Sequence, residues 1–242
     1  MRACTLTTTG NTISAVKLGL PVFGRASDVV VRNWDAVLRW GNSSNLDGTV
    51  EHEINPSAAI LRVCDKLEST LDMSEVVHTP TVYERMVPRG STAVIRTMEH
   101  AHGEGFETHD GPYRIPTGKY GTQLIRTDRE YRVWYAFGAM RCARRVSLNP
   151  GTDHAICRSK WGYQYMDTVF PILKTETEKA FTRMGLETGA ADVLWVEAER
   201  KWYFLELNSA PAIDTESLER FFRNAVASKL RSMETAAAVG RR

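Results

Sequence analysis

The sequence predicts a mixed α+β fold for this chain of 242 residues. Short runs of β-branched and aromatic residues indicate strands, and segments with apolar residues three and four positions apart indicate helices. Strands and helices alternate along the chain, which is typical of sheets covered by helices. With 43% hydrophobic and 25% charged residues, the composition is that of a globular protein of one or two domains.

Charge, apolar runs and cysteine spacing exclude several classes of protein. The net charge of +2 gives no strong basic field for nucleic acid or a membrane surface. No apolar run approaches the about 18–20 residues of a membrane-spanning helix, and the N-terminus lacks the apolar stretch of a secretory signal. Because Cys4, Cys64, Cys142 and Cys157 show no C-x-x-C spacing, we expect reduced, mostly buried thiols in a cytosolic protein and no zinc site.

In the first half of the chain we expect short strands and one helix. Residues 28–34 follow a polar turn and are rich in valine, so they are predicted to form a strand. A helix begins after Asn55, which can cap it, with Pro56 at its first position. Residues 81–83 and 93–96 are predicted strands. Residues 99–110, which contain Gly and His, are a predicted loop.

The second half of the chain predicts a sheet flanked by two helices. Residues 168–184 have helical spacing, and Gly185 is the predicted stop. A second helix covers 215–233 and precedes an Ala-rich end that we expect to fray. The polar residues 197–201 form the turn of a hairpin. The predicted strands are 121–125, 131–137, 141–146, 191–196 and 202–207.

That last hairpin brings three oxygen-bearing side chains together. Asp192 lies early on one strand, and Glu206 and Asn208 lie two apart at the end of the next, so both of these point to one face. Two carboxylates and an amide carbonyl are hard ligands of the kind that Mg²⁺ prefers. The alternative is an exposed edge strand with a polar tip.

The local sequence around these residues resembles a known family. The run Leu205-Glu206-Leu207-Asn208-Ser209-Ala210-Pro211 resembles the E-(V/L)-N-(S/T)-x-P signature of ATP-grasp ligases. Asp192, 14 residues before Glu206, matches the acidic residue that those enzymes carry on the preceding strand.

Further motifs resemble that family in the correct order, over about residues 28–225. Asn55-Pro56 and Asp65-Lys66 are similar to the segment that opens the grasp region, and Tyr120 to Ile125 are similar to the hinge under adenine. Glu130-Tyr131-Arg132-Val133 resembles a strand of RimK-like members, and the whole chain resembles short phage-encoded ATP-grasp proteins. The other matching segments are residues 94–97, which contain Arg96, followed by the glycine loop at 102–106, and residues 156–163, which contain Arg158.

The resemblance implies an ATP-grasp fold, in which two α+β subdomains grip ATP, with a shortened N-terminal segment. The implied boundaries are 1–54 for that segment, 55–125 for the small subdomain with its glycine loop, and 126–235 for the large subdomain with the metal site. The implied activity is an ATP-dependent ligase that forms an amide bond through an acyl phosphate and releases ADP and phosphate. The implied location is the cytoplasm, or the host cytoplasm for a phage protein.

The resemblance also implies roles for individual residues. Asp192, Glu206 and Asn208 would hold one or two Mg²⁺ ions, and Mn²⁺ is an alternative. The implied ATP-binding residues are Lys66 and Arg96 for phosphates, Gly103 and Gly105 for their backbone N–H groups, Gln123 and Ile125 for adenine, and Glu130 for ribose. The implied catalytic residues are Arg158 and Arg132, and Arg141, Arg144 and Arg145 are implied to grip an acidic substrate. For the charged residues the alternative is a solvated surface charge, and for the glycines a plain turn.

Departures from the family pattern leave other functions open. Arg96 stands where Lys is more common, Ala212 where Gly is common, and Ala190 where D-alanine–D-alanine ligases place an arginine. The partners that the resemblance implies are ATP and a small-molecule, amino-acid or peptide substrate with a carboxylate. It implies no membrane, and it leaves open a modified DNA base and a homodimer. The alternatives are a small-molecule or carboxylate kinase and a non-catalytic ATP-binding phage protein.

Overall fold

The computed structural model describes residues 1–8, 12–30, 34–46, 50–98, 107–127, 129–147 and 161–239. Within these ranges the chain forms a parallel N-terminal sheet, a small antiparallel sheet and a large five-stranded antiparallel sheet, with helices between and around them. None of the described helices is both long enough and apolar enough to cross a bilayer.

The N-terminal unit is a four-stranded parallel sheet in the order β2-β1-β3-β4. The prediction of a strand at 28–34 is wrong, because residues 26–30 form helix α2 and 31–33 lie outside the described residues. Val29 is fully buried in the cluster under this sheet, so packing of one helix face outweighs the β preference of the valines. The elements are β1 (Ala3–Thr7), α1 (Thr12–Val16), β2 (Val22–Phe23), α2 (Ala26–Val30), β3 (Ala36–Trp40) and β4 (His52–Ile54).

Two helices, α3 (Ser57–Cys64) and α4 (Lys66–Ser74), follow the first sheet. The predicted capping role of Asn55 is wrong, since Pro56 is the N-cap of α3 and no side chain caps it. The buried face of α3 is formed by Ala59, Ile60 and Val63, whereas Cys64 is exposed. Both helices pack against the large sheet.

The small antiparallel sheet has the order β5-β10-β7-β8, with a separate ladder β6-β9 beside it. Residues 107–110, predicted as part of a loop, form β8, an exposed edge strand that pairs with β7. Its sequence E-T-H-D carries no apolar signal, and the strand is held by its backbone pairing with β7 and by the Thr92 hydroxyl, which donates to Asp110 at 2.5 Å. The elements are β5 (Val82–Tyr83), β6 (Met86–Val87), β7 (Thr92–Thr97), β8 (Glu107–Asp110), β9 (Tyr113–Arg114) and β10 (Lys119–Gln123).

The large sheet has the order β13-β12-β11-β14-β15, and every neighbouring pair is antiparallel. The predicted strands of this region and the terminal hairpin are confirmed, whereas β13 was not predicted. The strands are β11 (Glu130–Ala136), β12 (Ala139–Ser147), β13 (Trp161–Met166), β14 (Thr188–Val196) and β15 (Lys201–Asn208).

Helices cover both faces of the large sheet. One face packs on α3, α4 and α5 (Pro171–Met184), and the other on α6 (Glu216–Val239) together with Trp40 of β3. Helix α5 ends at Gly185, whose φ of 73° provides the predicted left-handed stop. Helix α6 extends to Val239, beyond the predicted end at residue 233 and into the Ala-rich end.

Candidate active site

One face of the large sheet carries a row of side chains that crosses all five strands. In this row Glu206 of β15 lies opposite Asp192 of β14, which lies opposite Arg132 of β11. The row continues through Ala143 of β12 to Tyr165 of β13. Because directly paired residues of antiparallel strands point to the same side, these side chains share one surface.

Asp192 is bound by the guanidinium group of Arg132. Arg132 Nε donates to Asp192 Oδ1 and Nη2 donates to Oδ2, both at 2.6 Å. Burial by itself favours the neutral acid, but the charge and hydrogen bonds of Arg132 outweigh it and hold the pKa of Asp192 below its usual value. Asp192, which is only 5% exposed, is therefore an ionised carboxylate inside the fold.

Glu206 is held from two sides. Lys66 Nζ lies 3.2 Å from Glu206 Oε2, and Asn208 Nδ2 donates to Oε1 at 3.1 Å. Lys66 is the first residue of α4, and the Asp65 side chain caps this helix by accepting from the Glu68 backbone N–H at 3.0 Å. Asp65 thus fixes where α4 begins, and this start of the helix places Lys66 next to Glu206 of the terminal hairpin.

The chemistry of these donors fits a magnesium ion. Within the described ranges there is no cluster of three or more His, Cys, Asp or Glu side chains that could hold a metal ion. The candidate donors are instead two carboxylates, those of Asp192 and Glu206, together with the amide oxygen of Asn208. All three are the oxygen ligands that Mg²⁺ prefers. Arg132 and Lys66 balance the two negative charges in this structure, and a divalent cation would exchange with them.

Glu130 and Arg145 form a second charged pair on the same face. They lie opposite each other on β11 and β12 and are joined by a close ion pair. Glu130 is 4% exposed, so the alternative of an exposed strand charge is wrong. Burial outweighs the neighbouring Arg145 and raises the pKa of Glu130 to about 7. Its carboxylate is covered and bonded to Arg145, and the implied contact with ribose stays a prediction.

Arg96 reaches the same region from the small sheet. It lies opposite Tyr120 on β7 and β10. Burial raises the pKa of Tyr120; the charge of Arg96 opposes that rise, whereas those of Asp65 and Glu206 add to it. The Tyr120 phenol therefore lies among the charges of the small sheet, of α4 and of the hairpin.

The predicted adenine hinge follows β10. Gln123 is engaged by Thr81, whose hydroxyl donates to its side-chain oxygen at 3.1 Å. Ile125 is buried against Leu194 and Tyr203 of the hairpin, and the three form an apolar cluster beside the charged row. This cluster provides an apolar surface against which a flat ring can pack.

The arginines that were expected to grip an acidic substrate do not gather on one face. Arg145 lies beside Glu130 on the face of the charged row, and Arg141 lies opposite Trp134 on the same face but is exposed. Arg144 lies opposite Tyr131, so it points to the other side of the sheet. Gly103, Gly105 and Arg158 lie outside the described residues.

An aromatic group at the end of the charged row was not predicted as part of the site. Trp134 stacks on Tyr165, with ring centroids 5.7 Å apart and an interplanar angle of 19°, and meets Tyr163 edge-on at 5.6 Å. The alternation of tyrosines in W-G-Y-Q-Y-M was the available signal, because it puts Tyr163 and Tyr165 on one side of a strand.

Comparisons with known proteins find a common fold. No protein-family model matches the chain, and no curated protein sequence matches it. Among solved structures, the ATP-grasp ligase PsnB complexed with its minimal precursor has a TM-score of 0.65 and 11% identity over 95% of this chain and 99% of its own. PsnB has also been solved with Mg and ADP.

Two further ligases are similar over most of their length. The macrocyclase MdnC from Microcystis aeruginosa, bound to precursor peptide MdnA, has a TM-score of 0.62 and 11% identity over 93% of this chain and 99% of its own. A D-alanine–D-alanine ligase from Bacillus anthracis has a TM-score of 0.64 and 11% identity over 98% and 99%. The chain therefore has the fold of the ATP-grasp ligases, as its motifs predicted.

Proposed function

We propose that the chain is an ATP-dependent carboxylate–amine ligase that releases ADP and phosphate. The observation that carries this proposal is the row Glu206–Asp192–Arg132, with Lys66 bound to its outer carboxylate, on the sheet of an ATP-grasp fold. A substrate carboxylate oxygen would attack the γ-phosphorus of ATP, and the bond to the ADP oxygen would break. An amine would then attack the acyl carbon, expel phosphate and lose a proton.

Asp192, Glu206 and Asn208 are the residues that we propose to hold one or two Mg²⁺ ions, with Mn²⁺ as an alternative. A bound divalent ion neutralises charge on the phosphates during phosphoryl transfer. When Asp192 and Glu206 bind the metal ion, Arg132 and Lys66 become available to bind phosphate or carboxylate oxygens. The fork of Arg132 suits either group, because both present two oxygens in a plane.

Other residues complete the nucleotide site in this proposal. Lys66 and Arg96 contact phosphates together with the backbone at Gly103 and Gly105, and Ile125 supports adenine on its apolar cluster with Leu194 and Tyr203. The last contact is supported by the burial of all three side chains of that cluster. Both the side chain and the backbone N–H of Gln123 are bonded to Thr81, so we propose that Gln123 holds the adenine hinge in place.

We assign the acidic substrate to Arg132 and Arg145, and the stabilisation of the γ-phosphate or acyl phosphate to Arg158. The position of Arg145 on the face of the charged row supports its role, whereas Arg144 faces the other way. The E-Y-R-V sequence of β11 supports a RimK-like subgroup, and the order of the motifs favours a short phage-encoded member that acts in the host cytoplasm. Amino acids and peptides are the substrates that we propose, because the similar ligases PsnB and MdnC were solved with peptide precursors.

The proposal is tested by an ADP-release screen with Mg²⁺ over amino acids and dipeptides. We expect release of ADP that depends on a carboxylate substrate and is abolished in Glu206→Gln. Glu197→Gln, in the turn of the same hairpin, is the matched control and should retain full activity, because Glu197 bonds Trp195 and Arg129 away from the row.

Identification of the products separates the ligase from the alternatives. Hydroxylamine should trap the activated acid as a hydroxamate, and mass spectrometry should find an amide. A stable phosphorylated product would instead indicate a kinase. AMP with pyrophosphate, or full activity of Glu206→Gln, would contradict the proposal.

A further inference from the structure

The aromatic shelf formed by Trp134, Tyr163 and Tyr165 is the strongest feature that the proposed chemistry leaves unused. Trp134 is 1% exposed, and Tyr165, stacked on it, is 41% exposed. Tyr163 lies beside both rings, at 5.6 Å from Trp134 and 6.5 Å from Tyr165. The shelf is therefore a supported aromatic surface that is open to solvent on its outer side.

The shelf stands at a fixed distance from the charged row. Tyr165 is separated from Asp192 by the two intervening residues Ala143 and Arg132, so three strand spacings of about 4.8 Å put the two backbones about 14 Å apart. A group bound at Tyr165 is too far from the carboxylates to take part in phosphoryl transfer. It can still belong to a substrate whose reacting group lies at Arg132.

The charges around the shelf differ between its two ends. At one end, Tyr163 lies opposite Arg145 on β12 and β13. Its phenol interacts electrostatically with the guanidinium groups of Arg132 and Arg145. At the other end the Tyr165 hydroxyl lies 3.5 Å from Thr215 Oγ1. Burial chiefly raises the pKa of Tyr165, and the charge of Asp214 adds to the rise.

Asp214 places a negative charge near the outer end of the shelf, and the ammonium group of Lys17 lies close by in the fold, donating to the carbonyl of the neighbouring Ile213 at 2.6 Å. The Asp214 side chain is exposed, and within the described part of the chain it forms no ion pair. An aromatic face beside a carboxylate is a favourable environment for an ammonium or guanidinium group. At the other end of the shelf, Arg132 and Arg145 pair with Asp192 and Glu130 in this structure, and Arg132 becomes available to a substrate carboxylate when Mg²⁺ takes its place on Asp192.

We propose that Tyr165 and Asp214 form a recognition subsite for a second, non-reacting cationic group of the substrate, such as a lysine side chain. This inference rests on the proposed function, because it takes the charged row as the reaction centre. The subsite would select a substrate with a carboxylate near Arg132 and a positive charge about 10 Å further along the sheet, two strand spacings away. It assigns the substrate class as basic peptides or amino acids.

Titration of dipeptides tests the subsite without requiring turnover. The probes are lysyl-glycine, norleucyl-glycine and phenylalanyl-glycine, and their dissociation constants are measured by ligand-observed NMR on the full chain with Mg-AMPPNP. We expect lysyl-glycine to bind about fivefold more tightly than norleucyl-glycine, which has nearly the same shape without the side-chain charge. The ratio should fall below about twofold in Asp214→Asn and in Tyr165→Ala.

Matched variants separate recognition from folding. Glu216→Gln removes an exposed charge close by in sequence, and Tyr165→Phe keeps the ring; both should retain the lysine preference. Asp214→Asn is a conservative change at an exposed position, so it remains informative even where Tyr165→Ala does not fold. Equal affinity for lysyl and norleucyl probes, tighter binding of the phenylalanyl probe, no binding of any probe, or an unchanged ratio in Asp214→Asn would each overturn the subsite.

Calorimetry of Mg-ATP binding on the same samples distinguishes the two proposals. Mg-ATP binding without a lysine preference would overturn the subsite alone. Absence of Mg-dependent ATP binding would overturn the proposed function and, with it, the assignment of the subsite to a substrate.

Discussion

Arg132 and Asp192 lie directly opposite each other on β11 and β14 and are joined by two hydrogen bonds of 2.6 Å. The strand register fixes this pairing, because a shift of one strand by one residue would place the two side chains on opposite faces of the sheet. The pair is buried, so each charge depends on the other for compensation. Any group that replaces Arg132 as the partner of Asp192 must therefore carry a positive charge.

The first prediction concerns the stability of this pair. Arg132→Met should lower the free energy of unfolding by about 3–5 kcal/mol, because it leaves a buried carboxylate unpaired. The double variant Arg132→Met/Asp192→Asn should recover most of that loss, since the charge is then gone. Urea unfolding of both variants and of Asp192→Asn gives the coupling energy.

Arg129→Met provides the control, because Arg129 forms an exposed ion pair with Glu197 at the end of the same sheet. It should cost less than about 1 kcal/mol. Additive losses in the double variant would contradict a coupled pair.

A second prediction concerns Asn55, which joins β4 to β14. Its amide donates to the Thr188 carbonyl at 3.0 Å and hydroxyl at 2.8 Å, and its oxygen accepts from the backbone N–H groups of Glu187 and Thr188. Asn55→Ala should lower the free energy of unfolding by about 2–4 kcal/mol, because these buried groups lose their partners. Asn55→Gly should be milder by about 1 kcal/mol, since the backbone φ is 56°. Equal stability of Asn55→Ala and the parent in urea would refute this role.

A third prediction is a pH dependence caused by Glu130. Its folded pKa of about 7 lies above the ordinary value of 4.5, so the folded chain keeps a proton that the unfolded chain loses. Stability should therefore fall as pH rises from about 4.5 to about 7, by at most about 3 kcal/mol, and this contribution should be constant above pH 7. Glu130→Gln should remove this slope. Between pH 5 and pH 8 the unfolding free energy of the parent should fall relative to that of Glu130→Gln. A difference between the two proteins that stays constant with pH would contradict a role of Glu130.

A fourth prediction concerns the close approach of Gly189 to β15. A Cβ atom at this position would lie 2.5 Å from the Asn208 carbonyl oxygen and 3.0 Å from a ring carbon of Phe181. Gly189→Ala should thus push β15 away from β14 next to the proposed metal ligand Asn208. We expect a lower melting temperature and weaker Mg-ATP binding. Gly118→Ala, where a Cβ would meet nothing within 4 Å, tests the general cost of replacing a glycine, although its φ of 79° adds local strain.

The terminal hairpin and the end of α5 could be predicted from the sequence because local signals agree with the tertiary structure there. Two apolar runs flank a polar turn, and the glycine at 185 adopts the left-handed conformation that a helix stop requires. The alternation within β15 put Glu206 and Asn208 on one face, and the register opposite Asp192 is as expected.

Other features depend on long-range contacts that no local pattern reveals. The valines of α2 form a helix because Val29 packs under the first sheet, and β8 exists because its backbone pairs with β7. The ion-pair partners of the charged residues could not be predicted from the sequence either. Burial of Glu130 beside Arg145 and the fork of Arg132 on Asp192 follow from the order of strands in the sheet, which the sequence pattern did not specify.

The central claim is that Asp192 and Glu206 bind nucleotide through magnesium. Isothermal titration calorimetry of ATP into the full chain, with Mg²⁺ and with EDTA, tests it most directly when the parent is compared with Glu206→Gln and the hairpin control Glu197→Gln. We predict binding in Mg²⁺ for the parent and the control, and a loss of at least about tenfold in affinity both in EDTA and for Glu206→Gln. Equal ATP affinity with and without Mg²⁺, or an unaltered affinity in Glu206→Gln, would contradict the account.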